Sequence, residues 1–279
     1  MRTLCGVLLA SAMAPGAFAQ APASAASDLP DRFQIDTGYF HIDANTVLRL
    51  NSTRGRGSDI DFEKDLGVAP GVDTFWVDAS WRVGRRHQLK LSYTRLTRER
   101  KSQTLDRDFE WGGETYNAGL TVDSETGADI VGGYYRFAAL RNDHFELGPT
   151  IGIGYLWLDA SIQATASLTD AGGNGPSRSL DKTGSVGSIT GAVGAYAHAW
   201  PTKRLVLKAD FLYIKVEPED SEASVTDWRL GADYYFFRHA GLGVQYKYNN
   251  YSYDRGILVT KLGGEITYKG FQLFASFLF

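Results

Sequence analysis

The last nine residues, Phe-Gln-Leu-Phe-Ala-Ser-Phe-Leu-Phe, set apolar side chains at every second position back from the end: Phe279, Phe277, Ala275, Leu273 and Phe271. Gln272 and Ser276 stand between them. Successive side chains of a β-strand point to opposite faces, so this spacing predicts a strand with one wholly apolar face. Such a strand belongs in a sheet whose apolar face is kept from water, and a closed barrel surrounded by lipid does this for every strand at once.

The same period recurs along the chain. Alternation and turn residues give strands at about 33–52, 72–83, 87–108, 114–138, 143–168, 184–200, 203–217, 224–237, 241–260 and 264–279. In the second, Phe75, Val77, Ala79, Trp81 and Val83 share one face, and Trp76, Asp78, Ser80 and Arg82 the other. A soluble barrel has the same period with its apolar face inward. Here the polar faces carry glycine and charges of both signs, which suits a narrow, crowded lumen better than a wet surface. The predicted fold is therefore all-β, a transmembrane antiparallel up-and-down barrel of about ten strands. One merged or split hairpin would make it eight or twelve. Pro149 removes a ladder donor in mid-strand and predicts a bulge. The sixth run, Ile189 to Trp200, is too rich in Ala and Gly to orient.

Residues 1–19 hold Arg2, an apolar run from Leu4 to Leu9 and Ala17-Phe18-Ala19, the layout of a cleavable secretory signal. Residues 20–31 read as a flexible lead-in and 32–279 as the barrel. The single cysteine, Cys5, falls in the signal, which excludes disulfides, thiolate metal sites and cysteine nucleophiles from the mature chain. Mean hydropathy is -0.23, and outside the signal no stretch approaches the roughly 18 apolar residues of a spanning helix. A net charge of -3 gives no reason to expect nucleic acid.

Four connections are short, Gly84–His87, Leu140–Asp143, Pro201–Arg204 and Arg238–Gly241, and each carries Arg or Lys. These are the expected periplasmic turns. The longer, more polar connections at 53–71, 109–113, 169–183, 218–223 and 261–263 are expected to face outward. Residues 217–222 are acidic; keeping turns wet is the simplest account of both charge sets.

Chemistry has few places to sit. Asp59, Asp61, Glu63 and Asp65 place carboxylates at every second position, and hard cations take such oxygens. The run lacks the glycine and terminal glutamate spacing of an EF-hand loop, so a structured first outer loop packing Phe62 and Leu66 on the rim is the expected reading, with no metal or other cofactor. Of the histidines, His87, His144 and His239 lie in or beside short turns and His198 near the same end, leaving only His41 higher up. No Asp-His or Ser-His site is expected to assemble, and no enzyme. The inward faces collect Asp36, Asp78, Arg82, Lys90, Glu146, Lys208, Asp210, Arg229, Asp233 and Lys247. Unpaired charge is costly in a low-dielectric interior, so these are expected to pair and plug the lumen. Interiors of about eight strands are filled by side chains, whereas aqueous channels come at about 16–18. Gly152, Gly154 and Gly231 keep a narrow pore open as the alternative.

Two features carry a resemblance. The Phe271, Leu273, Ala275, Phe277, Phe279 pattern resembles the C-terminal signature read by the bacterial outer-membrane assembly machinery. The segment Ile60–Gly67 (Ile-Asp-Phe-Glu-Lys-Asp-Leu-Gly), followed by the turn Trp81–His87 (Trp-Arg-Val-Gly-Arg-Arg-His), is similar to small proteobacterial outer-membrane barrels of unestablished function, within the OmpA/OmpW-like barrels. The likeness covers nearly the whole mature chain, and its motifs are structural. It implies the outer membrane of a Gram-negative cell, contact with outer-membrane lipid and lipopolysaccharide, the assembly machinery as a partner, and a monomer. The expected role is non-enzymatic, in envelope structure or surface interaction. A narrow pore or transporter for small or hydrophobic solutes is the alternative, and a lipid- or peptide-hydrolysing enzyme comes third.

Overall fold

The computed structural model describes residues 32–50, 58–111, 113–167, 177–216, 221–255 and 262–279. The expected signal at 1–19, the lead-in at 20–31, most of the acidic stretch 217–222 and parts of the other long connections lie outside the described residues.

The described residues form ten long strands: β1 (Phe33–Leu50), β2 (Gly71–Val83), β3 (His87–Thr104), β4 (Thr121–Phe137), β5 (Phe145–Ser167), β6 (Ser177–Thr202), β7 (Leu205–Val216), β8 (Ser221–Tyr234), β9 (Ala240–Arg255) and β10 (Leu262–Leu278). Each pairs antiparallel with its neighbours in the chain. The terminal strand β10 pairs with β1 from Gln34↔Leu278 to Leu50↔Leu262. The sheet closes on itself, so the chain is an antiparallel ten-stranded transmembrane β-barrel with short turns at one end and long hairpins at the other.

Polarity decides what surrounds it. Toward the short-turn end the outward side chains are apolar and open: Phe75 is 74% exposed, Leu91 64%, Ile153 62% and Phe271 59%. The inward ones include buried Asp78, Arg229 and Asp233. A water-soluble barrel would have these reversed. On β2 the apolar outward run goes from Phe75 to Val83, matching the roughly 9–11 residues with which a tilted strand crosses the hydrocarbon. Tyr39, Tyr93, Tyr155 and Trp157 mark its upper edge, where outward faces remain exposed, and Trp228 stacks on Tyr248 with ring centroids 5.7 Å apart. Interfacial aromatics are the usual girdle of such barrels.

Beyond that girdle both faces change character. The outward side chains become His41, Asp43, Arg95, Glu99 and Asp129, while the inward ones become buried Ile42, Leu48, Leu96, Leu158 and Ile162. The chain turns its apolar side away from water at every level, outward in lipid and inward above it.

Two seams part above the girdle. β2 and β3 pair only from Trp76↔Thr94 down to Val83↔His87, and β6 and β7 only from Val193↔Tyr213 to Thr202↔Leu205. The space between the upper sheets is filled by two connections folded inward. Residues 58–70 place Ile60, Phe62, Leu66 and Val68 in the core, and residues 105–120 place Leu105, Phe109, Trp111 and Tyr116 there.

The second connection corrects the sequence reading, which ran the third strand to 108, began the fourth at 114 and turned 109–113 outward. A bulge sets Lys101 and Ser102 opposite Asp123 alone, between the pairs Arg100↔Ser124 and Gln103↔Val122. Ser102 takes a left-handed φ of 57°, and its N–H donates to the Asp123 carboxylate at 2.7 Å. One extra residue swaps the two faces of a strand. Inward positions are even-numbered before it (Leu96, Arg98) and odd-numbered after it (Leu105, Phe109, Trp111). The little hairpin Phe109–Trp111 and Glu114–Tyr116 keeps strand periodicity, which explains why the sequence reading merged it with its neighbours.

The irregularity expected at Pro149 falls on the partner strand. β5 runs through Pro149↔Ala195 in unbroken register with β6. On the other side, residues 137–139 stand opposite 148 and 149, between Arg136↔Thr150 and Leu140↔Leu147. The strand that would have needed the missing N–H leaves the ladder there. The sixth strand, unoriented from sequence, turns Tyr196 and His198 inward and Val193, Ala195 and Ala197 outward.

Candidate functional site

Period-2 geometry sends Asp36, Asp78, Arg82, Lys90, Glu146, Lys208, Asp210, Arg229, Asp233 and Lys247 into the lumen, the ten positions singled out from sequence. Arg136 and Asp227 join them, both buried. Among the described residues the lower lumen thus buries Arg82, Lys90, Arg136, Lys208, Arg229 and Lys247 against Asp36, Asp78, Glu146, Asp210, Asp227 and Asp233, six charges of each sign, and beside the short turn the partly exposed Arg141 lies 3.4 Å from Glu146.

They are arranged in connected groups. Near the short turns, Lys208 pairs with Asp233 and lies 3.4 Å from Asp36. Asp36 also accepts from Gln34 and from the Ser276 hydroxyl at 2.6 Å. Across the lumen, Arg82 reaches Glu146 at 3.0 Å, and Tyr196 donates to the same carboxylate at 2.9 Å. Arg229 is the hub. It lies 3.0 Å from Asp78, 3.7 Å from Asp210 and 3.8 Å from Asp227. Each of those carboxylates has a second cation: Lys90 at 2.6 Å from Asp78, Arg136 on Asp210, and Lys247 at 3.8 Å from Asp227. Arg136 also lies over the Tyr196 ring at 5.0 Å.

Aromatic rings close the top of this layer. Trp76 meets Phe274 edge-on at 5.2 Å, and Tyr268 stands against Phe40 at 6.2 Å and Tyr251 at 6.1 Å. Tyr134 lies directly opposite Gly152. A Cβ on Gly152 would stand 2.4 Å from the Tyr134 ring, and one on Gly132 2.4 Å from its hydroxyl. Two of the glycines that suggested an open lumen, Gly152 and Gly154, are thus overlaid by Tyr134 or set close to Thr190. An interior cavity at this level, lined by Tyr134, Thr190, Leu212 and Tyr251 among others, has about 20 Å³, room for about one water.

The acidic run above it is a set of pins. Asp59 pairs with Arg49, Asp61 with Lys64 at 2.7 Å, Glu63 with Arg98, and Asp65 with Arg107. Each carboxylate suspected of cation binding has a basic partner, and the partners from β1, β3 and the 105–120 connection hold the first loop inside the barrel. One of the pairs sits deep: Arg98 and Glu63 are almost wholly buried, and Glu63 also accepts the Thr46 N–H at 2.8 Å. Hydrogen bonds from Arg107 hold the Asp65 carboxyl below the usual carboxylate range, against the opposing effect of its partial burial. Phe62 meets Trp111 edge-on at 5.9 Å, which joins the two inward connections.

The histidines are dispersed. His41 faces outward just above the girdle and bonds Asp73 at 2.6 Å, both exposed. His87 bonds the Tyr135 hydroxyl at 2.6 Å near a short turn, and His239 bonds the Leu278 carbonyl at 2.9 Å. His198 is buried against Tyr196 and Trp200, and His144 lies in the turn before β5.

The chain matches no protein-family model, and no curated protein matches it in sequence. Solved structures similar to it include the outer membrane protease OmpT from Escherichia coli, at 12% identity over 90% of this chain and 97% of that one, with a TM-score of 0.49. The attachment invasion locus protein Ail of Yersinia pestis is 13% identical over 89% and 99%, with a TM-score of 0.31. The outer membrane protein OprG from Pseudomonas aeruginosa is 9% identical over 91% and 99%, with a TM-score of 0.33. A protease and an attachment protein stand side by side among them, so no activity transfers. The chain's own closure and its reversed polarity identify the fold: a closed antiparallel barrel of the outer-membrane type.

Proposed function

We propose that this protein is an integral barrel of the Gram-negative outer membrane, non-enzymatic, that serves envelope structure or surface interaction with its lumen plugged. The observation that carries the reading is the filled interior: a charge-balanced lower lumen under an apolar plug made from the chain's own outer connections. An open conduit has no use for six buried ion partners of each sign, nor for a first loop fixed inward at three carboxylates, Asp59, Glu63 and Asp65. Against the sequence expectation an Asp-His contact does form, His41 with Asp73 at 2.6 Å and exposed on the outward face above the girdle; a hydrolytic role, the lesser reading, would rest on it, since such a pair can activate water. The long hairpins, polar on their outward faces, are the surfaces offered to the exterior.

Location and orientation can be tested with the chain's lack of thiols outside Cys5. Glu99→Cys lies on the outer part of β3 and Arg238→Cys in a short turn. A membrane-impermeant maleimide applied to intact expressing cells is expected to label the first and spare the second until the outer membrane is breached. Equal labelling of both, or labelling of neither in a fully assembled barrel, contradicts the reading.

A further inference from the structure

The outer wall is not smooth. Between β2 and β5, in the half of the apolar band nearest the short turns, lies a groove of about 1000 Å³. Trp81, Leu89, Leu91, Tyr135, Ile151 and Ile153 form its walls. All six point outward, and its floor is Gly133, the outward position where the ladder lacks a side chain. A Cβ there would meet only Leu91 at 3.7 Å and the Ile153 carbonyl at 4.0 Å, so the wall itself would accept a larger residue. Glycine at this position deepens the groove, and the backbone does not demand it.

One end of the groove carries Arg32 beside the paired Phe33 and Phe279. Arg32 lines it directly and holds its place through its carbonyl, which accepts the Arg82 N–H at 2.8 Å. Trp81 and Leu89 are cross-strand partners, and β2 and β3 close just below them at Val83↔His87 through the turn containing Arg85 and Arg86. All three arginines are exposed. His87 and Tyr135, bonded to each other beside the groove, mark the level where hydrocarbon meets headgroups. An acyl-sized apolar hollow with Arg32 at one end and two exposed arginines in the turn just below it is complementary to a lipid with apolar chains and an anionic phosphate head.

We infer that this groove is a binding site for one anionic glycerophospholipid of the periplasmic leaflet, with an acyl chain against Gly133 and its phosphate at Arg32 and the Arg85-Arg86 turn. The site rests on the proposed membrane orientation, which puts the short turns at the periplasmic face. It gives the barrel a fixed lipid on one wall, in contrast to the bulk lipid that wets the others.

The experiment is native mass spectrometry of the full mature chain, released from bilayer discs containing phosphatidylethanolamine with a minor share of phosphatidylglycerol. The parent is expected to retain a phosphatidylglycerol molecule well above its share. Gly133→Phe, which puts a ring on the floor where the acyl chain would lie, should weaken retention. Arg32→Ala and Arg85→Ala should each reduce the enrichment by about fivefold, as expected of one cation near an anionic lipid surface. Heat-modified mobility on gels confirms that each variant is a folded barrel. A folded parent without preference for the anionic lipid, or a folded Gly133→Phe that retains it as the parent does, overturns the site and leaves the barrel reading intact. A parent that fails to insert into the discs overturns both.

Discussion

Arg229 touches three carboxylates that each have another cation, so its removal strands no single group but tips the buried charges of the lower lumen from six against six to an excess of one anion. Breaking a buried pair from one side typically costs about 3–5 kcal/mol, because the remaining charge stays desolvated. Arg229→Met should therefore lower the unfolding free energy of the refolded barrel by roughly that amount, read as the urea midpoint of the gel-mobility transition. Adding Asp227→Asn restores the balance and should recover more than half of the loss. A single variant as stable as the parent would show that charge balance does not hold this lumen together. Ten of these twelve residues were legible in the sequence, since alternation alone tells which face a charge takes. Arg136 and Asp227 carried the same signal, standing two positions from inward Tyr134 and Arg229. Which cation meets which carboxylate was not legible. That depends on the cross-barrel geometry, as when Arg82 on β2 meets Glu146 on β5.

The elements that seal the barrel were the hardest to read. The bulge at Lys101 and Ser102 interchanges the faces of β3 with no proline or glycine to announce it, so the inward turn of Phe109 and Trp111 had no local signature. The inward fold of the first loop was partly legible, through Phe62 and Leu66 amid carboxylates. Its pins make it sensitive to acid. Asp65 has its carboxyl held below the ordinary value by Arg107. Its contribution is therefore complete above the unfolded-state value near about 3.9 and is lost as the pH falls through the lower folded value. Quenching of Trp111 by a water-soluble agent should rise only below about pH 4 in the parent. In Asp65→Asn it should be raised already at neutral pH and lose that pH step. The same profile in both proteins would remove Asp65 from the account. The β4–β5 ladder provides a second test at this scale. Gly152 faces the lumen under the Tyr134 ring, and Gly152→Val should destabilise the barrel by about 1–3 kcal/mol through overpacking. An unchanged urea midpoint would mean that the ring is not packed on the glycine as described.

At the scale of the whole molecule, strand number and closure were legible because each strand repeats one period, and the terminal apolar strand has to find a partner. The level at which polarity reverses was not. It depends on how far each hairpin rises above the lipid, and β5 continues for ten residues from Trp157 to Ser167, roughly 33 Å along the strand. Those rising hairpins create an upper space that needs an apolar filling, and the two inward connections supply it. The barrel is thus two stacked solutions to one problem: charge inside and lipid outside below, hydrocarbon inside and water outside above. Together the two fillings block the lumen. Single-channel recording of refolded residues 20–279 in planar bilayers is the direct test: a blocked lumen gives a silent parent, and a steady, size-selective current in the parent would contradict it.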